Sequence, residues 1–212
     1  ISPSTVSWTA MMDSAKKINT VSFKMLAEMP HINRGEHAEF ITVVSTLANY
    51  IDQRTGTVYG PVDNLDQGQC LWIDSLSGLN TMAMNLVAGS KPVKSPGDYG
   101  VSMDNLENLL EKITNDLKCH VVVVGHLERE SDEMTGGSSM MISTIGKKLA
   151  PKIPKLFSDV IHSIRLEKDF MWSTITPNTV LKARNLPWAD KIPPSFIPLI
   201  EVWRRKNELA GK

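Results

Sequence analysis

The sequence predicts an α/β fold in which a central, mostly parallel sheet is flanked by helices, and three observations carry that prediction. The apolar run Cys70-Leu71-Trp72-Ile73 stops on Asp74 and is followed by Ser75, Ser77 and Gly78. This is the pattern of a buried strand that delivers a carboxylate to the rim of a sheet. A second run, Cys119-His120-Val121-Val122-Val123-Val124-Gly125, ends on the imidazole of His126, and four consecutive valines suit a strand covered on both faces. Between the two, Met103, Leu106, Leu109, Leu110 and Ile113 mark an amphipathic helix that returns the chain for a right-handed crossover. Ligands of open α/β sheets bind beyond the carboxyl ends of the strands, so chemistry is expected where Asp74 and His126 arrive side by side.

The other elements are read around that unit. Residues 1–30 carry short mixed segments, with Trp8 to Asp13 helical and Thr20 to Phe23 a strand or connector. From Arg34 to Tyr50, the positions Phe40, Val43, Val44, Leu47 and Ala48 follow helical spacing. His31, His37 and Glu39 lack a tight ligand geometry and read as solvated polar residues. Residues 52–60 read as a turn, and Leu79 to Val87 as a helix. Residues 88–100 read as a mobile loop rich in Gly, Pro and Lys, with Ser102 or Asp104 capping the helix beyond it. Glu128 to Thr144 reads as a second flexible loop. Lys147, Lys148, Lys152 and Lys155 follow on a segment broken by Pro151 and Pro154. Phe157 to Leu166 is a strand, Trp172 to Ala183 a strand or hairpin, and Pro187, Pro193, Pro194 and Pro198 predict an irregular tail. The division expected is an N-terminal extension, or remainder of a nucleotide-binding region, at 1–30, then a core at 31–190 and a C-terminal tail at 191–212.

Composition narrows the classes without choosing among them. The 212 residues are 42% hydrophobic, enough for a sizeable core. Lys+Arg and Asp+Glu are both 23, so a case for nucleic acid must rest on local clusters. Cys70 and Cys119 open buried strands and read as reduced and structural, which suits the cytosol. No stretch has the length of a membrane span and the first residues do not read as a signal peptide, so a cytoplasmic protein without membrane contact is expected. The chain starts without methionine, which makes it the expected ordered or processed part of something longer.

A buried strand ending on Asp-Ser is a pattern that holds Mg²⁺ near nucleotide phosphates, the carboxylate fixing the metal through water. The same ending also caps helices, and a strand-end histidine is also found satisfied within the fold. Taken in order, the features resemble the RecA-like ATPase core, most closely the phage-encoded RecA-like ATPases of single-strand annealing recombination. The resemblance covers roughly residues 31–190. It rests on Leu71 to Gly78 as the Walker B strand, and on Val121 to His126 with Glu128-Arg129-Glu130 as the sensor strand and its exit. It also rests on Thr135-Gly136-Gly137, on Gly146-Lys147-Lys148-Leu149, and on Lys182-Ala183-Arg184-Asn185-Leu186-Pro187-Trp188.

That resemblance implies ATP and Mg²⁺ as cofactors. Asp74 would organise the metal with Ser75 in support, His126 would sense the γ-phosphate, and Lys182 and Arg184 would enter a neighbour's site as a lysine and arginine finger. It implies DNA-binding loops at 88–100 and 128–144. Lys91, Lys94, Arg129, Lys147 and Lys148 would meet phosphates, and the backbone at Gly136 and Gly137 would approach the strand. The implied partners are single-stranded DNA, further copies of the chain in a ring or filament, and a single-strand-binding protein, all in a host cytoplasm. Read without it, the loops are solvated surface and the Lys182-x-Arg184 pair is a basic pair on a strand. One departure is large: no G-x-x-x-x-G-K-[ST] occurs, and Gly146-Lys147-Lys148 lacks the upstream glycine and the hydroxyl. The P-loop strand and helix are therefore expected before Ile1; otherwise the chain is a catalytically silent RecA-like module with an assembly role. The catalytic glutamate is sought among Glu36, Glu39 and Asp52 without a ranking. A third reading has the module act on protein instead of DNA.

Overall fold

The structure, a computed structural model, describes residues 38–52, 55–131 and 137–210. The expectations at Trp8 to Asp13, Thr20 to Phe23, His31, Glu36, His37, Thr135 and Gly136 lie outside the described residues. The described chain forms two compact units. One holds the residues up to Glu128 together with Ile142–Leu156, and the other holds Arg129–Met141 and the residues from Phe157 onward.

In the first unit, α1 (Glu39–Ala48) buries Phe40 and Val43, while Val44 is left exposed. The chain then forms β1 (Tyr50–Ile51), antiparallel to β2 (Val58–Gly60), and a short 3₁₀ turn at Val62–Asn64. β3 (Cys70–Asp74) leads into α2 (Leu76–Ala88), α3 (Pro96–Asn115) and β4 (His120–Val124). β3 and β4 are parallel, in register from Cys70 opposite His120 to Asp74 opposite Val124. The core lies where the two crossover helices face each other, with Leu76, Leu106 and Leu110 fully enclosed and Ile113 at 2% exposure. Enclosing each such side chain stabilises the fold by about 1.5–3 kcal/mol.

Four expectations are corrected here. α2 starts at Leu76, three residues earlier than its apolar spacing suggests, because Ser75 caps it. The loop expected at 88–100 ends at Ser95, and Pro96 to Gly100 are already the first turn of α3. Its cap is neither Ser102 nor Asp104. The Asp98 N–H donates to Ser95 Oγ and the Ser95 N–H donates to the Asp98 carboxylate, a reciprocal box, with Pro96 at a first-turn position that needs no N–H. Ser102 sits buried in the helix, donating to the Asp98 carbonyl at 2.7 Å. Finally, the valines of β4 are only half-buried, because among the described residues this strand pairs with β3 alone. This ladder is parallel, whereas β1–β2, β7–β10 and β8–β9 are antiparallel.

Residues 128–144 are not a loop throughout. β5 (Leu127–Ser131) and β6 (Ser138–Ile142) hydrogen-bond to each other. After β6 a turn and the short helix α4 (Ile153–Leu156) complete the first unit.

In the second unit, β7 (Asp159–Val160) and β8 (His162–Leu166) divide the strand expected at 157–166. β8 forms an antiparallel hairpin with β9 (Asp169–Ser173), and β10 (Lys182–Ala183) pairs antiparallel with β7. Trp172 is buried edge-on against Phe196 at 4.8 Å between ring centres. Thr174 donates its hydroxyl to the Pro187 carbonyl at 2.7 Å and accepts the Ala189 N–H at 3.0 Å, which fixes the proline-rich segment. Residues 187–196, with Pro187, Pro193 and Pro194, form no helix or named strand, as expected, but the tail then becomes regular: α5 spans Ile197–Ala210, with Pro198 in the first turn, where proline is tolerated. Among the described residues no helix is long and apolar enough to cross a membrane.

Candidate active site at the strand ends

Parallel pairing in full register brings Asp74 opposite Val124, so the chain leaves both strands at one rim. The Asp74–Ser75 peptide is cis. Asp74 is exposed, and among the described residues its carboxylate has no hydrogen-bond or ion-pair partner. The capping role that such an aspartate often takes belongs to the next residue: Gly78 N–H donates to Ser75 Oγ at 3.4 Å. The carboxylate is left for something else, at the entrance of a helix whose first N–H groups favour anions.

His126 is joined to that rim by a side chain the sequence reading does not single out. Ser77 Oγ lies 2.8 Å from His126 Nδ1, so either the hydroxyl donates to a bare Nδ1 or an Nδ1–H donates to the hydroxyl. In both cases Nε2 is the nitrogen left to meet a ligand. The His126 carbonyl accepts the Ser143 N–H at 2.7 Å. Asn80, one turn beyond Ser77, donates to the Ser143 carbonyl at 3.0 Å and accepts the Ile145 N–H at 3.3 Å. Ser143 Oγ donates to Glu128 at 3.0 Å. Ser77, Asn80 and Ser143 are thus the site residues that sequence reasoning misses. Their only signal in the sequence is that Ser77 and Asn80 share one face of the helix after Asp74.

The basic residues differ in their surroundings. Lys91 is held by Asp98 at 2.9 Å. Lys94, Lys147 and Lys148 line an open cavity of about 530 Å³ with Tyr99, Met103, Pro96 and Gly100. Arg129 is exposed on β5, and Gly137 precedes β6. In the second unit, Lys182 Nζ donates to the Phe157 carbonyl at 2.6 Å, whereas the Arg184 side chain is exposed. The structure therefore gathers Asp74, Ser75, Ser77 and His126 in one place and Lys94, Lys147 and Lys148 in another, and leaves Lys91 in an ion pair.

Two groups considered for catalysis or metal binding are placed as follows. Asp52 is fully enclosed, and Glu39 Oε2 is buried. No cluster of three or more His, Cys, Asp or Glu able to hold a metal occurs among the described residues. A single unpartnered carboxylate fits Mg²⁺ all the same, since that ion keeps several waters and takes one or two carboxylates plus phosphate oxygens. A family model described as an AAA domain matches residues 1–185. No curated protein and no solved structure matches the chain.

Proposed function

Because the chain belongs to the AAA-domain family, a P-loop NTPase-type family of nucleotide-binding ATPases, we propose that it is a RecA-like ATPase of phage recombination or replication. It binds single-stranded DNA and hydrolyses ATP at the interfaces of a homo-oligomer in the host cytoplasm. The observation that carries this reading is the unpartnered Asp74 carboxylate beside a His126 oriented by Ser77, at the ends of two parallel strands.

In this reading Asp74 holds Mg²⁺ through water, with the Ser75 hydroxyl in support, and the ion neutralises charge on the β- and γ-phosphates. His126 Nε2 faces the γ-phosphate, and the Ser77 hydroxyl keeps its ring from turning away. The Ser143 N–H on the His126 carbonyl and the Asn80 contacts with residues 143–145 tie that histidine to the chain leading to Lys147 and Lys148. Nucleotide state and the basic cavity are linked by that path. Arg184 reaches a neighbouring copy's phosphates, so hydrolysis requires assembly.

The cavity lysines meet the phosphates of the strand, and the exposed Tyr99 ring offers a base a surface to stack on. Binding to an unstructured oligonucleotide should weaken steeply with salt. Replacing Lys94, Lys147 and Lys148 together by Ala should reduce the logarithmic salt slope by about 2, at about 0.7 for each phosphate that a lysine no longer neutralises. Binding that is flat with salt, or a slope unchanged in the triple variant, overturns the DNA reading. A second reading, a silent module with an assembly role, is favoured by the lack of G-x-x-x-x-G-K-[ST] in these 212 residues. Equilibrium binding of ATP separates the two.

A further inference from the structure

The second unit holds an anchored turn directly at the residue read as a finger. β10 leaves its pairing with β7 at Ala183, opposite Asp159. There the Asp159 carboxylate spans the next three residues. Its Oδ1 accepts the backbone N–H groups of Arg184 at 2.9 Å, Asn185 at 2.8 Å and Leu186 at 3.4 Å, and its Oδ2 accepts the Asn185 side-chain amide at 2.7 Å. On the carbonyl side, Lys206 of α5 donates its ammonium to the Arg184 carbonyl and lies 3.4 Å from Asn185 Oδ1. Burial alone would push the Asp159 carboxyl up, but the hydrogen bonds from Asn185, Ser158 and Arg184 together outweigh it and hold the group below the ordinary carboxylate value. Asn185 and Leu186 are buried, so the turn is seated, while the Arg184 side chain is left in solvent.

A guanidinium acts on a transferring phosphoryl group only if its backbone holds it on target, and a misplacement of about 1 Å can cost on the order of 100-fold in rate. We propose that Asp159 is the positioning residue of the Arg184 finger, fixing from within one copy the backbone from which Arg184 reaches the phosphates of the next. The inference rests on the trans-acting role given to Arg184 above. Lys206 supports the same turn through the carbonyl side. A carboxylate that merely closed a turn would weaken its own subunit, and would leave no deficit that a different subunit could make good.

The test uses full-length protein carrying Asp159→Ala. Without nucleotide, amide hydrogen exchange at Arg184, Asn185 and Leu186 should be at least about 10-fold faster than in the parent, since each loses a charge-assisted acceptor. Turnover should fall on the order of 100-fold with KM for ATP little changed. Mixed with Asp74→Ala subunits, which lack the metal carboxylate but keep the finger, Asp159→Ala should regain activity well above the sum of the two parents. Arg184→Ala mixed with Asp74→Ala should regain it too. Asp159→Asn sets two amide donors against each other at Asn185, and adding Asn185→Asp restores the pair in reversed polarity and should restore turnover. If the Arg184→Ala mixture stays silent, the trans-acting reading falls, and this proposal with it. If that mixture recovers while the Asp159→Ala mixture does not, or if the three amides are unprotected in the parent, only the role of Asp159 is overturned.

Discussion

Gly125, immediately before His126, offers a test of how closely the histidine-bearing strand end is packed. A Cβ built there would lie 2.5 Å from Ile142 Cδ1 and 2.7 Å from Ile142 Cγ1. Carbon atoms pack best near 3.5–4.0 Å, so about 1 Å must be found for a Gly125→Ala methyl. Ile142 is β-branched and stiff at χ1, and overpacking of this kind costs about 1–3 kcal/mol. Against that, alanine restricts the unfolded chain and stabilises by about 0.4–1 kcal/mol where the backbone permits, as it does at Gly125, which lies outside the positive-φ region. The net expectation is a loss of about 1.3 kcal/mol at the middle of the two ranges, within about 0–2.6 kcal/mol at their extremes. Ile142→Ala removes both offending atoms and leaves Leu76 Cβ at 3.7 Å, an ordinary contact. In that background the same Gly125→Ala change should stabilise by about 0.4–1 kcal/mol. The sign reversal is read from urea midpoints at constant m in a double-mutant cycle. ATP turnover should follow it, low in Gly125→Ala and recovering relative to Ile142→Ala in the double variant. An equal loss of stability in both backgrounds refutes the packing described here and the placement of His126 that depends on it.

Two further outcomes follow from buried or paired groups. Burial first, and the neighbouring Cys119 second, push the Cys70 thiol up to about 12, and burial raises Cys119 as well. Both thiols should therefore resist a disulfide reagent at about pH 8 in the folded protein and react together on unfolding, and rapid labelling of the native chain would contradict this. The Ser95 amide, the Lys91 ammonium and the Ser95 hydroxyl hold Asp98 at about 2, below its ordinary 3.8. A depressed carboxyl contributes stability that is present above 3.8 and lost as the pH falls towards 2. Asp98→Asn should accordingly flatten the acid dependence of unfolding in that window, and an unchanged acid profile would show that the capping box carries none of it.

What is legible in the sequence, and what is not, divides on physical grounds. β3 and β4 announce themselves because apolar runs end abruptly on Asp74 and near His126, and a strand end is where a carboxylate or an imidazole can reach water. α3 reads too short because Pro96 and Gly97 look like loop punctuation, although a proline in the first turn costs no hydrogen bond; the overlooked signal is Ser95 with Asp98 three residues on. β5 reads as a loop because Glu128-Arg129-Glu130 is polar, yet a strand lying largely in solvent needs only its backbone ladder. Polar Arg204, Arg205 and Lys206 hide α5 in the same way. The Ser77–His126 contact joins residues 49 positions apart and the Asp159 turn joins residues 25 to 27 apart. No local pattern encodes such pairings; they exist only once the strands have placed the residues.

In the proposed function, the rim at Asp74 is the metal-organising half of a nucleotide site. The most direct measurement is ATP hydrolysis by full-length protein and by Asp74→Ala, each with and without single-stranded DNA. The Asp74 carboxylate makes no hydrogen bond or ion pair among the described residues, so the variant should unfold at the same urea midpoint as the parent while losing at least about 100-fold in turnover, the scale of removing one charge-stabilising group from a transition state. Equal hydrolysis by the two proteins would contradict the account.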